Sequence, residues 1–153
     1  MRVQADELTY NAHVILRFEL EREIFNGMKL EELPKKWNDK MRECFGIVPP
    51  TDTLGVLQEC HWGNGLFGYF PTYILGSMIA AQLAEALKND IPYWPVYFST
   101  GNFKEINAWM TEKIHKHGQR YNTKELIKNA TGKELSSRPY IRYLENKFSE
   151  LYF

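Results

Sequence analysis

Residues 55–73, GVLQECHWGNGLFGYFPTY, bring several side chains that take part in binding or catalysis into one short stretch. Gln58 and His61 supply neutral hydrogen-bonding groups, and Tyr69 and Tyr73 add phenol donors. The glycines among them allow sharp turns and a close approach of the backbone to a ligand. On residue chemistry alone, two interpretations stay open. The stretch is either a binding site or a loop that plugs the core and whose polar groups satisfy one another.

The segment from residue 47 to residue 69 has no helical periodicity, and Pro49-Pro50 prevents a helix there. It exceeds the ~12–15 residues beyond which such a loop usually has a function or is disordered. Disorder is not expected, because disordered segments contain few large apolar side chains, whereas this one contains Val56, Trp62 and Phe67. We therefore expect an ordered loop.

Two other groups of residues have the side chains of a metal or nucleophile site but the wrong spacing. Cys60 and His61 are adjacent, Cys44 is distant, and no C-x-x-C pair supports them. A nucleophilic cysteine also needs a base within hydrogen-bonding reach, so a buried free thiol is the expectation. His115 and His117 lie two residues apart, on opposite faces of an expected helix, whereas helical zinc ligands are four apart. We expect no metal ligand and no cofactor in this chain.

The bulk composition narrows the class of protein. The 153 residues carry 19 Lys+Arg and 19 Asp+Glu, and this balance argues against a nucleic-acid partner. The uncharged run from residue 62 to residue 84 is long enough to span a membrane, but Asn64, Pro71 and Gln82 interrupt it. We therefore expect a loop followed by a buried helix, and no membrane partner. Two cysteines and no recognisable signal peptide favour the cytoplasm.

Apolar residues at helical spacing predict an all-α fold of about six helices, in one domain over residues 1–153. The 90–101 segment is predicted to be a proline-punctuated connector, and Asn102 with Glu105 a capping box. The predicted helices run over about 6–25, from Pro34 to Gly46, about 71–89, from Asn102 to Gly118, 123–129, and from Ser137 and Pro139 onward.

Several segments, taken in order, are similar to one family. GVLQECHW resembles the G-x-x-Q-D-x-H-W motif of the thermostable zinc metallocarboxypeptidases of the Taq type, which are all-helical H-E-x-x-H exopeptidases. RVQAD at residues 2–6 is similar to that family's I-R-x-x-A-D motif, with Met1 in place of Ile, and Glu59 stands where the family has Asp. FGYFPTYILGSMIAAQL and YIRYLENKFSELY resemble further family segments. The likeness covers the whole chain.

The resemblance implies roles for individual residues in a substrate cleft. Arg2 would pair with the C-terminal carboxylate of a peptide, a role that suits a planar two-pronged cation. His61, with Tyr69 or Tyr73, would donate to the scissile carbonyl as negative charge develops on its oxygen.

The resemblance also implies that Gln58 and Glu59 would position the loop or the bound peptide. H-E-x-x-H does not occur in the sequence. The chain therefore resembles the C-terminal third of an all-helical, zincin-type carboxypeptidase, and zinc is expected only in a full-length or complemented enzyme.

Three hypotheses about function remain open. The first is a fragment or subunit of a carboxypeptidase that releases C-terminal amino acids, acting with a separately encoded N-terminal half that carries H-E-x-x-H. The others are a non-catalytic module that binds peptide C-termini and a truncated gene product without function. In each case we expect a homodimer, formed through the surface around Trp62 and Phe67 and one side of the 71–89 helix.

Overall fold

The computed structural model describes residues 6–152, and seven α-helices without a strand make up the regular structure of that range, apart from short 3₁₀ turns. This confirms the all-α prediction, with one helix more than expected. The helices are α1 (Glu7–Phe25), α2 (Leu33–Phe45), α3 (Phe70–Asp90), α4 (Trp94–Thr100), α5 (Lys104–Lys113), α6 (Thr123–Thr131) and α7 (Arg138–Tyr152).

The chain divides into two compact units, residues 1–75 and residues 76–153, with the boundary inside α3. The first unit contains α1, α2, the long loop and the start of α3. The second contains the rest of α3 and the helices that follow it. The expectation of a single domain stays a prediction.

Local signals fix the helix ends of the first unit. The Asp6 side chain caps α1 by accepting a hydrogen bond from the Thr9 amide at 2.9 Å. Pro34 lies in the first turn of α2, where its missing N–H has no cost. Gly46 ends α2 in the left-handed conformation, with a φ of 69° that favours glycine.

The first unit has a core to which the long loop contributes. Leu16 and Leu20 of α1 pack with Trp37 and Met41 of α2 and with Val56 of the loop. The 47–69 segment forms three 3₁₀ turns, at Asp52–Leu54, Val56–Gln58 and Trp62–Asn64. Trp62 is partly buried against this core. The loop is therefore ordered, as expected, and the packing of Val56 and Trp62 against α1 and α2 holds it in place.

In the second unit, a buried glutamine of α3 forms hydrogen bonds with residues at and after the end of α6. Gln82 of α3 is 3% exposed. Its amide nitrogen donates to Thr131 Oγ1 at 3.1 Å and to the Glu134 carbonyl at 3.1 Å, and its amide oxygen accepts from the Ser136 amide at 3.0 Å. These bonds attach the segment between α6 and α7 to α3.

Two details predicted for the second unit are wrong. Residues 94–100 of the expected connector form α4. Helix α5 begins at Lys104, with Phe103 as an N-cap that makes no side-chain hydrogen bond, so Asn102 and Glu105 do not form a capping box.

The end of α5 also differs from the expectation. The helix ends at Lys113, and a separate 3₁₀ turn, His115–His117, leads to Gly118.

Helix α3 is less buried than its sequence predicts. Its small residues Gly76, Ala80 and Ala84 are exposed, and a Cβ added at Gly76 would meet nothing within 4 Å. The expectation of a buried central helix is therefore not met within this chain. Among the helices of residues 6–152, none combines the length and the apolar character that crossing a membrane requires.

Candidate functional site

His61 is a buried histidine whose two ring nitrogens both have partners. Only 7% of the residue is exposed. Its backbone N–H donates to Glu59 Oε1 at 2.7 Å, and its Nδ1 lies 2.6 Å from the same oxygen. Its Nε2 lies 3.1 Å from the Tyr73 hydroxyl. Because a carboxylate only accepts, neutral His61 carries its proton on Nδ1, and Nε2 accepts from the hydroxyl.

Glu59, which orients His61, is itself held by an arginine from α1. Its side chain is 1% exposed, and Arg17 Nε donates to Glu59 Oε2 at 2.6 Å. Burial alone would raise the pKa of the Glu59 carboxyl. The hydrogen bonds from His61 and the charge of Arg17 outweigh burial and hold that pKa below its ordinary value. The Glu59 side chain is therefore an anion at neutral pH.

Arg17 was not predicted as a site residue, although its position in α1 offered a signal. It lies three residues from Val14 and from Leu20, so it shares the buried face of the helix with them. An arginine at such a position needs a buried acceptor. Sequence spacing did not reveal which acid this would be, because Glu59 lies 42 residues away along the chain.

Aromatic rings surround His61 on the remaining sides. The ring centroid of Phe70 lies 4.9 Å from that of His61, and Tyr69 stacks on His61 at 6.0 Å with an interplanar angle of 27°. Tyr69 is 44% exposed, whereas Tyr73 is half-buried and contacts Tyr10 edge-on. Tyr69 is therefore the phenol of the two that is more open to solvent.

A small cavity lies next to this network. It has a volume of about 60 Å³, room for about two water molecules. It is lined by Tyr10, His13, Val14, Arg17, Phe70 and Tyr73.

The structure brings four of the six predicted site residues together: Glu59, His61, Tyr69 and Tyr73. Gln58 instead braces the loop from within, because its exposed side chain donates to the Thr53 carbonyl at 2.6 Å. Arg2 lies outside the described residues.

Glu59, Cys60 and His61 come close enough to be considered as metal ligands. One donor atom from each lies within 4.8 Å of the others, and Cys60 Sγ is 4.0 Å from His61 Nδ1. The adjacent pair Cys60–His61 therefore converges more than its spacing led us to expect. The expectation of buried thiols is wrong, since both cysteines are free and exposed.

These donors do not fit a catalytic zinc. Both oxygens of Glu59 already accept hydrogen bonds, one of them from the Arg17 cation, and both ring nitrogens of His61 have partners. A zinc ion would have to displace the proton on His61 Nδ1 while lying beside a buried guanidinium. That this chain holds no zinc stays a prediction.

The sequence and the fold of this chain match those of one protein family. The model of the carboxypeptidase Taq (M32) metallopeptidases matches residues 1–148. The chain is 49% identical to carboxypeptidase 1 of Bacillus subtilis and 40% identical to thermostable carboxypeptidase 1 of Thermus thermophilus, in each case over 99% of its length. The crystal structure of the M32 carboxypeptidase of Deinococcus radiodurans superposes with a TM-score of 0.95 at 39% identity, covering 99% of this chain and 31% of that one.

The chain spans about 30% of the length of the curated relatives that it matches. This confirms the prediction that it corresponds to a part of a metallocarboxypeptidase. The family match extends over nearly all of its residues, and the motif that carries Glu59 and His61 lies within it. The chain belongs to the carboxypeptidase Taq (M32) metallopeptidase family.

Proposed function

We propose that this chain forms the peptide-binding half of a metallocarboxypeptidase cleft, and that another part of the enzyme, carrying H-E-x-x-H, holds the zinc. The whole enzyme would release C-terminal amino acids from peptides. The observation that carries the proposal is the orientation of His61. A buried carboxylate fixes one ring nitrogen at 2.6 Å and directs the other toward Tyr73.

This arrangement suits a group that stabilises negative charge on a peptide oxygen. When His61 is protonated on both nitrogens, the Glu59 carboxylate beside Nδ1 stabilises the imidazolium. The Nε2–H then donates either to Tyr73 or to a substrate oxygen that takes its place. Because Glu59 fixes the ring in advance, the protonated Nε2 can stabilise an oxyanion without a change in orientation during the reaction.

The remaining residues have supporting roles in this proposal. Tyr69 lies on the more exposed side of His61 and is the phenol that a bound peptide would reach first. Gln58 stabilises the loop rather than the peptide. Arg2 would bind the substrate's C-terminal carboxylate, as the resemblance implies. We place the protein in the cytoplasm, where its free thiols would stay reduced.

Complementation tests the proposal. The chain is co-expressed with the part of Bacillus subtilis carboxypeptidase 1 that this chain does not match, and the purified mixture is loaded with zinc. We expect the two parts to co-purify and to release the C-terminal amino acid from a blocked dipeptide, with no release from its amidated form. Each part alone should be inactive. A zinc-loaded complex that forms but releases no amino acid would contradict the proposal.

Two histidine variants make the test specific for the site. His61→Ala should lower the activity of the complex by about 10²–10³-fold, the usual effect of losing one oxyanion donor. His115→Ala removes an exposed histidine of the His115–His117 turn and should leave activity unchanged. Equal activity of the two variants would show that His61 does not take part.

A further inference from the structure

Arg17 is held in one orientation by contacts that do not involve Glu59. Its Nη1 donates to the His13 carbonyl of the preceding turn at 2.7 Å. Its guanidinium lies 4.8 Å from the ring centroid of Trp37 in α2. The side chain is 4% exposed, so bulk water has little access to its donors. The direction of its Nε–H is therefore set by α1 and α2, independently of the loop.

Glu59 uses its two carboxylate oxygens for different partners. Oε2 accepts from Arg17, and Oε1 accepts both the backbone N–H and Nδ1 of His61. Hydrogen bonds at both oxygens therefore fix the orientation of the Glu59 carboxylate. Because Oε1 only accepts while the carboxylate is charged, the proton of neutral His61 stays on Nδ1. This leaves Nε2 as the nitrogen that faces Tyr73.

Removing Arg17 would change the state of this pair. A carboxylate that is 1% exposed and has lost its cation is strongly disfavoured as an anion. Glu59 would then take up a proton or turn away from His61. In either case Oε1 no longer requires a proton on Nδ1, and the imidazole proton distributes between Nδ1 and Nε2.

We infer that Arg17 is a positioning residue, which acts through Glu59 to fix the tautomer and the orientation of His61. Its guanidinium donates to Glu59 and to the His13 carbonyl, and its burial keeps it from a bound peptide. Its importance for peptide hydrolysis rests on the proposed function. Its effect on His61 does not depend on that function.

The experiment is nitrogen NMR of the isolated chain with ¹⁵N-labelled histidine, with the His61 signals assigned from His61→Ala. In the unaltered chain, at a pH high enough that the imidazole is neutral, Nδ1 of His61 should be the protonated nitrogen and Nε2 the acceptor. In Arg17→Met the two nitrogens should show averaged shifts, which report exchange between tautomers. Arg22→Met, which removes an exposed arginine above the Phe18 ring on the same helix, should leave the His61 signals unchanged.

A second variant keeps the inference testable if Arg17→Met does not fold. Arg17→Met combined with Glu59→Gln removes both charges, so no buried ion is left without a partner. Its His61 should also show averaged shifts, while the signals of His115 and His117 stay as in the unaltered chain. Arg17→Lys keeps the cation and should retain a protonated Nδ1.

The outcome that overturns the inference is clear. If the double variant folds and His61 still has its proton on Nδ1 alone, Arg17 has no positioning role. In the complemented enzyme, the inference predicts that the double variant lowers kcat by roughly 10–100-fold with little change in KM, as losses of supporting residues usually do. A missing complex or an inactive one would count against the proposed function and would leave the NMR result standing.

Discussion

Arg17 and Glu59 meet inside the first unit with Nε and Oε2 2.6 Å apart, although 42 residues separate them in the sequence. The pair attaches the long loop to α1, because Arg17 lies in that helix and Glu59 follows the second 3₁₀ turn of the loop. The same pair orients His61. One contact therefore serves both the fold and the candidate site, and changes to it should affect stability and chemistry together.

The first prediction concerns the energy of this pair. Arg17→Met should lower the free energy of unfolding by about 3–5 kcal/mol, because it leaves a buried carboxylate without its cation. The double variant Arg17→Met, Glu59→Gln should cost clearly less. Urea denaturation followed by tryptophan fluorescence measures both. As a control, Lys40→Met removes the more exposed Lys40–Glu19 pair and should cost less than about 1 kcal/mol.

A double variant as unstable as Arg17→Met alone would contradict this account. It would mean that packing of the arginine side chain, and not the charge of the pair, provides the stability.

The second prediction concerns pH. The pKa of Glu59 is lowered in the folded state, so the unfolded chain binds its proton more readily. The contribution of Glu59 to stability is therefore complete above its ordinary pKa of 4.5 and is lost as pH falls through the lower, folded value. Urea denaturation at a series of pH values should show the unaltered chain losing more stability on acidification below pH 4.5 than the Arg17→Met, Glu59→Gln variant. Parallel curves would exclude Glu59 as a source of acid sensitivity.

The third prediction compares two asparagines. The Asn122 side chain accepts from the Glu125 amide at 3.0 Å, and the Glu125 side chain accepts from the Asn122 amide, which makes a complete capping box on α6. Asn122→Ala should cost about 1 kcal/mol. Asn102 has only a long bond of 3.4 Å to the Lys104 amide, so Asn102→Ala should cost less than half as much. Equal losses in thermal or urea denaturation would contradict the assignment.

These two asparagines show why a local sequence pattern does not decide where a capping box forms: it was predicted at Asn102 and is found at Asn122. Both belong to N-x-x-E sequences, and the local pattern fits either equally well. Only at Asn122 does the backbone place the side chain over the third amide of the helix. At Asn102 the backbone N–H instead donates to the Tyr97 carbonyl of α4 at 3.0 Å, just after that helix ends at Thr100. The prolines and aromatic residues of residues 92–98 concealed α4 in the sequence. Pro95 is in fact compatible with a helix, because it lies in the first turn of α4.

For the candidate site, GVLQECHW pointed to Glu59 and His61, and the FGYFPTY segment that follows pointed to Tyr69 and Tyr73. These segments could not reveal Arg17, whose partner is determined by the packing of α1 against the loop. They also gave no reason to separate Tyr69 from Tyr73. Their different exposure depends on where α3 begins, at Phe70, and on the Tyr10 ring of α1 beside Tyr73. Distant contacts of this kind are not encoded in local spacing.

The fourth prediction concerns Gln82, whose buried amide uses both its donor and its acceptor. Gln82→Met keeps the shape of the side chain but leaves the Ser136 amide and the Glu134 carbonyl without this partner. A loss of about 1–3 kcal/mol is expected from such unmade bonds. Gln82→Glu should be worse, because a carboxylate would face carbonyl oxygens. Hydrogen exchange of the Ser136 amide should speed up in both variants, and an unchanged rate would show that another group protects it.

The last prediction concerns self-association. Phe25 and Phe67 contact each other edge-on at 5.2 Å, yet they are 68% and 45% exposed, and the nearby sequence adds Leu66, which is also 45% exposed. Exposed aromatic pairs of this kind are typical of surfaces that another chain covers. We predict that the isolated chain forms a homodimer through this surface.

Light scattering at micromolar concentration should give a mass of twice the 18.0 kDa of one chain, and Phe67→Ser should shift that mass toward the monomer. Leu151→Ser, at a residue of α7 that is 63% exposed, is the control and should not change the mass. A monomeric mass for the unaltered chain would rule the dimer out, and a dimer that persists in Phe67→Ser would place the contact elsewhere.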